Sequence, residues 1–269
     1  MTAAGTAVAP RRTDGVTFAH VLRSEWLKLV TVRSTFWTTA VALLLSAGLA
    51  LLLGAALRPD GTGGGSGLAL VGATVGLSFV ALVVGVLGVL AIGGEYATLQ
   101  IRSSYTAVPR RWPALVAKAL IVGVWSFVLG LVVTFGSFAV LAGFFGAKGI
   151  AVSLTGGTVG ALIGGAGYLA FVGMFAVGLG ALVRASAAGI TILTALLFVA
   201  PIIVAIFSQL LRAEWVSKVG DYLLSAAGGV LFAGPGDTAI PLWGALLALA
   251  LWLAAVWVPA LVLTRARDV

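Results

Sequence analysis

The sequence predicts an all-α membrane protein with six transmembrane helices, an amphipathic interfacial helix before the first of them, and both termini in the cytoplasm. Three observations lead there. The first is composition: of 269 residues, 61% are hydrophobic and 9% charged, with a mean hydropathy of +1.18. A soluble domain carries about a quarter charged residues, and this chain has too little polar surface to cover a water-soluble fold of its size. Second, six uncharged stretches reach the length of about 20 residues that a helix needs to cross hydrocarbon. Third, the basic residues divide unequally between the two sides those stretches define.

Residues 1–15 contain Arg11 and Arg12 but no compact apolar segment followed by a cleavage site, so they read as a flexible cytoplasmic tail and not as a signal peptide. In residues 16–35, Leu22, Trp26, Leu29, Val30 and then Phe36 recur at helical spacing, with Arg23, Lys28 and Arg33 mostly off that stripe and Glu25 among them. A basic amphipathic helix with Trp at its boundary lies in the headgroup layer. It either couples to a partner or only anchors the first span.

The six spans are residues 36–57, 68–92, 119–145, 158–183, 187–211 and 242–264. Each must be helical, because an open strand would leave backbone groups unpaired in lipid. Their uninterrupted apolarity excludes the alternating strands of a barrel. The third could begin as early as Ala114. Arg184, in Val183-Arg184-Ala185-Ser186, marks a tight turn or else a bend within one long helix.

Assigning the connections to alternate sides puts Arg11, Arg12, Arg23, Lys28, Arg33, Arg102, Arg110, Arg111, Lys118, Arg184, Arg265 and Arg267 together. Arg58, Lys148, Arg212 and Lys218 fall on the other side, a division of 12 against 4 among the 16 basic residues. The richer side is cytoplasmic by the positive-inside rule.

Two connections carry patterns of their own. In the cytoplasmic loop 93–118, Ile101, Tyr105, Val108 and Trp112 follow at steps of four, three and four, one face of a short helix that Pro109 limits. Such a face suits docking into a partner's groove, or lies on the membrane as a solvated loop. In the external loop 212–241, Trp215, Val219, Tyr222 and Ala226 share a helical face. Gly228-Gly229 reads as a stop and Gly234-Pro235-Gly236 as a turn. This is an interfacial or re-entrant helix, or an ordinary amphipathic surface helix.

Several chemistries are excluded. There is no cysteine and one histidine, His20, so no disulfide, thiolate site or histidine metal centre is expected. The net charge of +8 is dispersed between apolar runs and does not form a nucleic-acid-binding face. The counted spans hold no Asp, Glu, Lys, Arg or His, which argues against proton-driven transport, although sodium sites of unwound backbone stay open. The Walker pattern, the G-x-S-x-G elbow and H-E-x-x-H are absent; no catalytic residue is expected, and the chain is not read as an enzyme.

Glycine numbers 37; Gly156, Gly160 and Gly164 form a small-xxx-small series, and Gly173, Gly178 and Gly180 continue in the same span, expected to bring helix backbones close or to let a helix slide. Sparse polar groups such as Ser126, Thr134, Ser137 and Tyr168 line a cavity or bond back to helix carbonyls. A cavity of that kind would favour a hydrophobic or amphipathic cargo.

Two strings resemble the membrane-spanning permease subunits of type 2 ABC exporters, the small bacterial family. One is Arg23-Ser24-Glu25-Trp26-Leu27-Lys28-Leu29 with Val32-Arg33-Ser34-Thr35-Phe36-Trp37, similar to that family's elbow helix. The other is Glu95-Tyr96-Ala97-Thr98, then Ile101-Arg102-Ser103-Ser104, Pro109-Arg110-Arg111 and Lys118, similar to its loop after the second span. Relatives usually carry a Gly-Thr pair just after the glutamate, whereas here Thr98 is followed by Leu99. The resemblance implies that Glu95, Tyr96, Ile101, Arg102, Tyr105 and Val108 meet a separate ABC ATP-binding subunit, which holds ATP and Mg, while this chain binds no cofactor. It further implies a cell membrane location, a dimer with a second permease copy or paralogue, and export of a drug, peptide or lipid-like cargo, as in multidrug or antibiotic resistance. An ion-gradient-driven secondary transporter and a non-transporting membrane scaffold are the alternatives.

Overall fold

The computed structural model describes residues 17–57, 64–98, 112–234, 236 and 238–266. Among them the regular structure is entirely helical. The helices are α1 (Phe18–Thr31), α2 (Arg33–Ala56), α3 (Gly65–Val75), α4 (Leu77–Ala97), α5 (Trp112–Ala147), α6 (Gly156–Val183), α7 (Ser186–Thr194), α8 (Ala200–Leu211), α9 (Glu214–Asp221), α10 (Leu224–Phe232) and α11 (Leu242–Ala266). A five-residue π turn, Ala195–Val199, joins α7 to α8. Taken as continuous rods these give six helices long and apolar enough to cross a membrane: Arg33–Ala56, Gly65–Ala97, Trp112–Ala147, Gly156–Val183, Ser186–Leu211 and Leu242–Leu263.

Two rods are interrupted, each for a local reason. Gly76 makes a turn between α3 and α4, where its carbonyl accepts from the N–H groups of Phe79 and Val80 at 3.1 Å each. In the fifth rod Pro201 opens α8. Proline has no N–H for the carbonyl four residues back, and the widened π turn just ahead absorbs the mismatch.

The helix over 16–35 is shorter than its sequence pattern. It ends at Thr31, Val32 is extended (φ −80°, ψ 127°), and Arg33 is the first residue of α2 and so belongs to the first span. The buried row of α1 is Val21, Glu25 and Leu29, which shares only Leu29 with the expected stripe. Trp26, Val30 and Phe36 are exposed. The cause is the start of α5, whose Ala114 and Ala117 pack on Val21 and whose Lys118 takes up Glu25.

α6 is the most enclosed rod, packed between α4 and α5 and flanked by α10 and α11. Close approaches fall on Gly164, Gly173, Gly178 and Gly180 of the expected glycines and on others besides. A Cβ at Gly130 would meet the Ala166 backbone at 2.6 Å, one at Gly88 the Gly173 carbonyl at 2.7 Å, and one at Gly173 the Ser126 hydroxyl at 2.7 Å. Gly156 and Gly160 face open space among the described residues. Only Gly164 of the small-xxx-small series lies against a neighbour, the Leu231 carbonyl of α10. Period four places residues on one side of a helix but does not fix which neighbour that side meets.

The connection at Arg184 is a tight turn. Arg184 is left-handed (φ 57°) and its N–H donates to the Gly180 carbonyl, after which α7 starts at Ser186. At the other end of the bundle, α10 runs through Gly228-Gly229 to Phe232 instead of stopping there. Gly228 is needed where it lies, because the Tyr168 ring occupies the position of a Cβ. Val216, Leu224 and Ala227 point inward while Trp215, Val219 and Tyr222 are exposed. Lys148 caps the end of α2, donating to the carbonyls of Gly54 (2.8 Å) and Leu57 (2.7 Å), where a cation also suits the helix dipole.

Candidate functional site

At the end of the bundle where α1, α4 and α5 meet, four ionisable side chains are joined by hydrogen bonds and ion pairs. Two features of the chain place them there. α4 runs past the expected limit of the second span to Ala97, carrying Glu95, and α5 begins at Trp112, carrying Lys118 in its second turn. Part of the predicted loop 93–118 is therefore helix, and the ionisable groups expected outside the spans lie within the long rods. Neutralisation by pairing is what permits this extension.

Lys28 Nζ donates to Glu25 Oε1 at 2.7 Å and to Glu95 Oε1 at 2.9 Å. Lys118 Nζ donates to Glu25 Oε2 at 2.5 Å and to Glu95 Oε1 at 3.0 Å. Two carboxylates and two ammonium groups thus cancel in charge. The side chains of Glu25, Glu95 and Lys118 are 4%, 9% and 8% exposed, while Lys28 stands at the rim with 32%. Unpaired, any of the first three would be strongly unfavourable at such burial. Glu95 also sits in the last turn of α4, the end at which the helix dipole disfavours an anion, and the two lysines offset that. Burial works against the charge of Lys28, but its hydrogen bonds to Glu25 and Glu95 and their negative charge prevail, raising its pKa above the ordinary 10.5.

Neighbouring contacts stiffen the junction. Trp26 of α1 packs edge-on to Trp125 of α5 at 5.9 Å, and Trp125 Nε1 donates to the Thr39 hydroxyl of α2 at 3.2 Å. The Arg184 guanidinium lies over the Tyr96 ring at 5.4 Å, so the turn between the fourth and fifth rods touches the end of α4. The Tyr96 hydroxyl is buried with no hydrogen-bond partner among the described residues.

Beside the network is a cavity of about 340 Å³. Its polar end carries Glu25, Lys28, Glu95 and Lys118. Leu29, Leu87, Leu90, Ile121 and Val122 form an apolar wall, and Gly94 contributes a bare stretch of helix. That volume falls in the range of small-molecule pockets, about 300–1,000 Å³.

The sequence-derived residues therefore separate into groups. Glu25, Lys28 and Glu95 come together, with Tyr96 and Trp26 beside them. Arg23 and Arg33 are exposed. Ile101, Arg102, Tyr105 and Val108 lie outside the described residues.

No protein-family model and no curated protein sequence matches this chain.

The geometry is then the guide to chemistry. Among the described residues no group of three His, Cys, Asp or Glu side chains is placed to hold a metal. The sequence pattern left out Lys118 as a partner, 93 residues from Glu25 and 23 from Glu95. A usable signal was present in α1, where a single acid, Glu25, occupies the row Val21-Glu25-Leu29 between two apolar residues. The arrangement can bind α1 rigidly to the two helices that flank residues 99–111, and it can present charge to an amphiphile in the cavity.

Proposed function

We propose that the chain is the permease subunit of an ATP-driven exporter in the cell membrane, with both termini cytoplasmic and a separate ATP-binding subunit supplying the energy. The observation that carries this reading is the neutral network Glu25–Lys28–Glu95–Lys118. It joins α4 and α5 at the two ends of residues 99–111, the segment expected to meet the ATPase, and fastens both to α1. A push on that segment would move three helices as one body, since breaking the network would strand buried charge. The excess of basic residues on this side of the bundle supports its cytoplasmic placement.

Proton-driven transport is favoured by one observation, that two glutamates are buried, Glu95 in a long helix and Glu25 in α1 beside it. Against it, both are hydrogen-bonded to lysines, whereas a proton carrier must release its partners in each cycle. Coexpression with candidate ATP-binding subunits separates the two. The proposal expects copurification that is lost in Arg102→Ala and Tyr105→Ala, and cargo efflux abolished by ATP depletion. Efflux from ATP-free vesicles under an imposed proton gradient would replace it with the antiporter reading. The chain has no cysteine, so Ser103→Cys and Ser153→Cys each introduce a single label site. An impermeant maleimide should reach Ser153→Cys in intact cells and Ser103→Cys only after lysis.

A further inference from the structure

We infer that the cavity beside the charge network binds the protonated amine end of an amphiphile, with its hydrocarbon part along Leu29, Leu87, Leu90 and Ile121. This deepens the export reading by naming a cargo class, and only its description as cargo rests on that reading. The polarity of the site gives the argument. Glu25 uses both carboxylate oxygens, one on each lysine. Glu95 receives both lysines on Oε1, and among the described residues nothing hydrogen-bonds Oε2. Glu95 lines the cavity, so the carboxylate of a 93%-buried residue, with one oxygen engaged by neither lysine, belongs to the same cavity as the apolar wall. An N–H donor bearing positive charge is the complement of that atom, and the wall beyond it takes hydrocarbon. Both lysines already have carboxylate partners, so an anionic head group would have to displace Glu25 or Glu95 to gain them.

Gly94 makes the inference testable without disturbing the network. It lines the cavity, and a Cβ built on it meets nothing within 4 Å among the described residues. Gly94→Leu would fill the space and raise helix propensity.

The experiment measures binding of radiolabelled dodecylamine to the full chain in phosphatidylcholine nanodiscs, after subtraction of empty discs, with no ATPase present. Saturable binding is expected. It should be about tenfold tighter than that of dodecyltrimethylammonium, which is charged but has no N–H to donate, corresponding to one charged hydrogen bond. Gly94→Leu, with an unchanged melting temperature, should abolish saturable binding. Glu95→Gln, if it folds, should weaken it tenfold or more. Adding phosphatidylethanolamine to the discs distinguishes the sources: competition identifies a lipid head group, and no competition a free amine, and either outcome sustains the site. Equal binding of the quaternary analogue, or wild-type binding by Gly94→Leu, overturns the inference. Because the assay contains no ATPase, failure of coupling to ATP in the coexpression experiment leaves this result standing, and failure here leaves the ATP-driven reading standing.

Discussion

Replacing Lys118 by methionine removes the most deeply placed cation of the network while keeping its aliphatic stem, so packing is preserved and charge is the only large change. The ammonium makes hydrogen-bonded ion pairs at 2.5 and 3.0 Å with Glu25 and Glu95, and all three side chains are less than a tenth exposed. Without it Glu25 Oε2 has no described donor, Glu95 keeps only Lys28, and the cluster goes from neutral to one net negative charge. Removing one partner from a buried pair costs about 3–5 kcal/mol. Lys28 can shift toward the gap, which places the expectation at the low end, about 3 kcal/mol. For a chain somewhat above 250 residues this lowers the melting temperature by roughly 6–12 °C.

The assay is thermal unfolding in nanodiscs at one fixed scan rate, because unfolding of such a protein is commonly irreversible and the midpoint then depends on heating rate. Glu25→Gln is added to complete a double-mutant cycle. The double variant pairs Glu95 with Lys28, is again neutral, and should recover more than a third of the loss. Lys28→Met, at the solvated rim, should cost under about 1 kcal/mol. A Lys118→Met midpoint within 1 °C of wild type, or a double variant worse than the sum of the single ones, would refute the assignment of stability to this network.

Three further outcomes rest on other contacts of the same helices. Lys28 has a raised pKa in the folded protein, so its stabilising share is complete below the ordinary value of 10.5 and is lost as pH rises through the higher folded value; the stability gap between wild type and Lys28→Met should stay constant from pH 7 to 10 and shrink only above 10.5, as read from melting curves against pH. Gly164→Ala forces a methyl group onto the Leu231 carbonyl and should destabilise by about 1–3 kcal/mol, while Gly160→Ala enters open space and should leave the midpoint unchanged or slightly raised. Lys148→Met uncaps α2 by freeing the carbonyls of Gly54 and Leu57 and should cost about 1 kcal/mol, measurable as faster amide exchange in the last turn of that helix.

The helices were legible because the length and apolarity needed to cross a membrane are local properties of the sequence. Their ends were less so. A hydropathy boundary stops at the first charge, so Glu95 and Lys118 were assigned to a loop, yet both lie in helices because each neutralises the other from a different part of the chain. In residues 16–35 the apolar stripe sets Arg23, Lys28 and Arg33 mostly to the polar side but does not show that Glu25 is buried. Gly160 and Gly164 are equivalent in sequence spacing. What separates them is the position of α10, which passes over one and not the other. The cavity was not legible at all, since it is bounded by α1, α2, α4 and α5, and no local pattern specifies the gap between them.

Where the rigid part of the molecule ends follows from the distribution of burial. α6 packs on both α4 and α5 through glycine contacts, and the charge network ties α4, α5 and α1 together at one end. The fifth rod differs: its first part, α7, seats Leu193 against Gly85 and Gly189 against Val89, whereas α8, beyond the π turn, has no buried residue. The break at Pro201 thus coincides with the point where the helix leaves its neighbours. A force applied at residues 99–111 would be transmitted by Glu95 and Lys118 into α4 and α5, and from there into α6 and α7. Along the rod itself it would reach α8 through a turn lacking one backbone hydrogen bond, the other route being the packing of α9 on Val204. Pro201→Ala is therefore expected to extend regular α-helix through 195–199 without lowering stability. Site-directed spin labels at Ala188 and Phe207 should then report a narrower distance distribution, and an unchanged distribution would mean that packing rather than the proline sets the break.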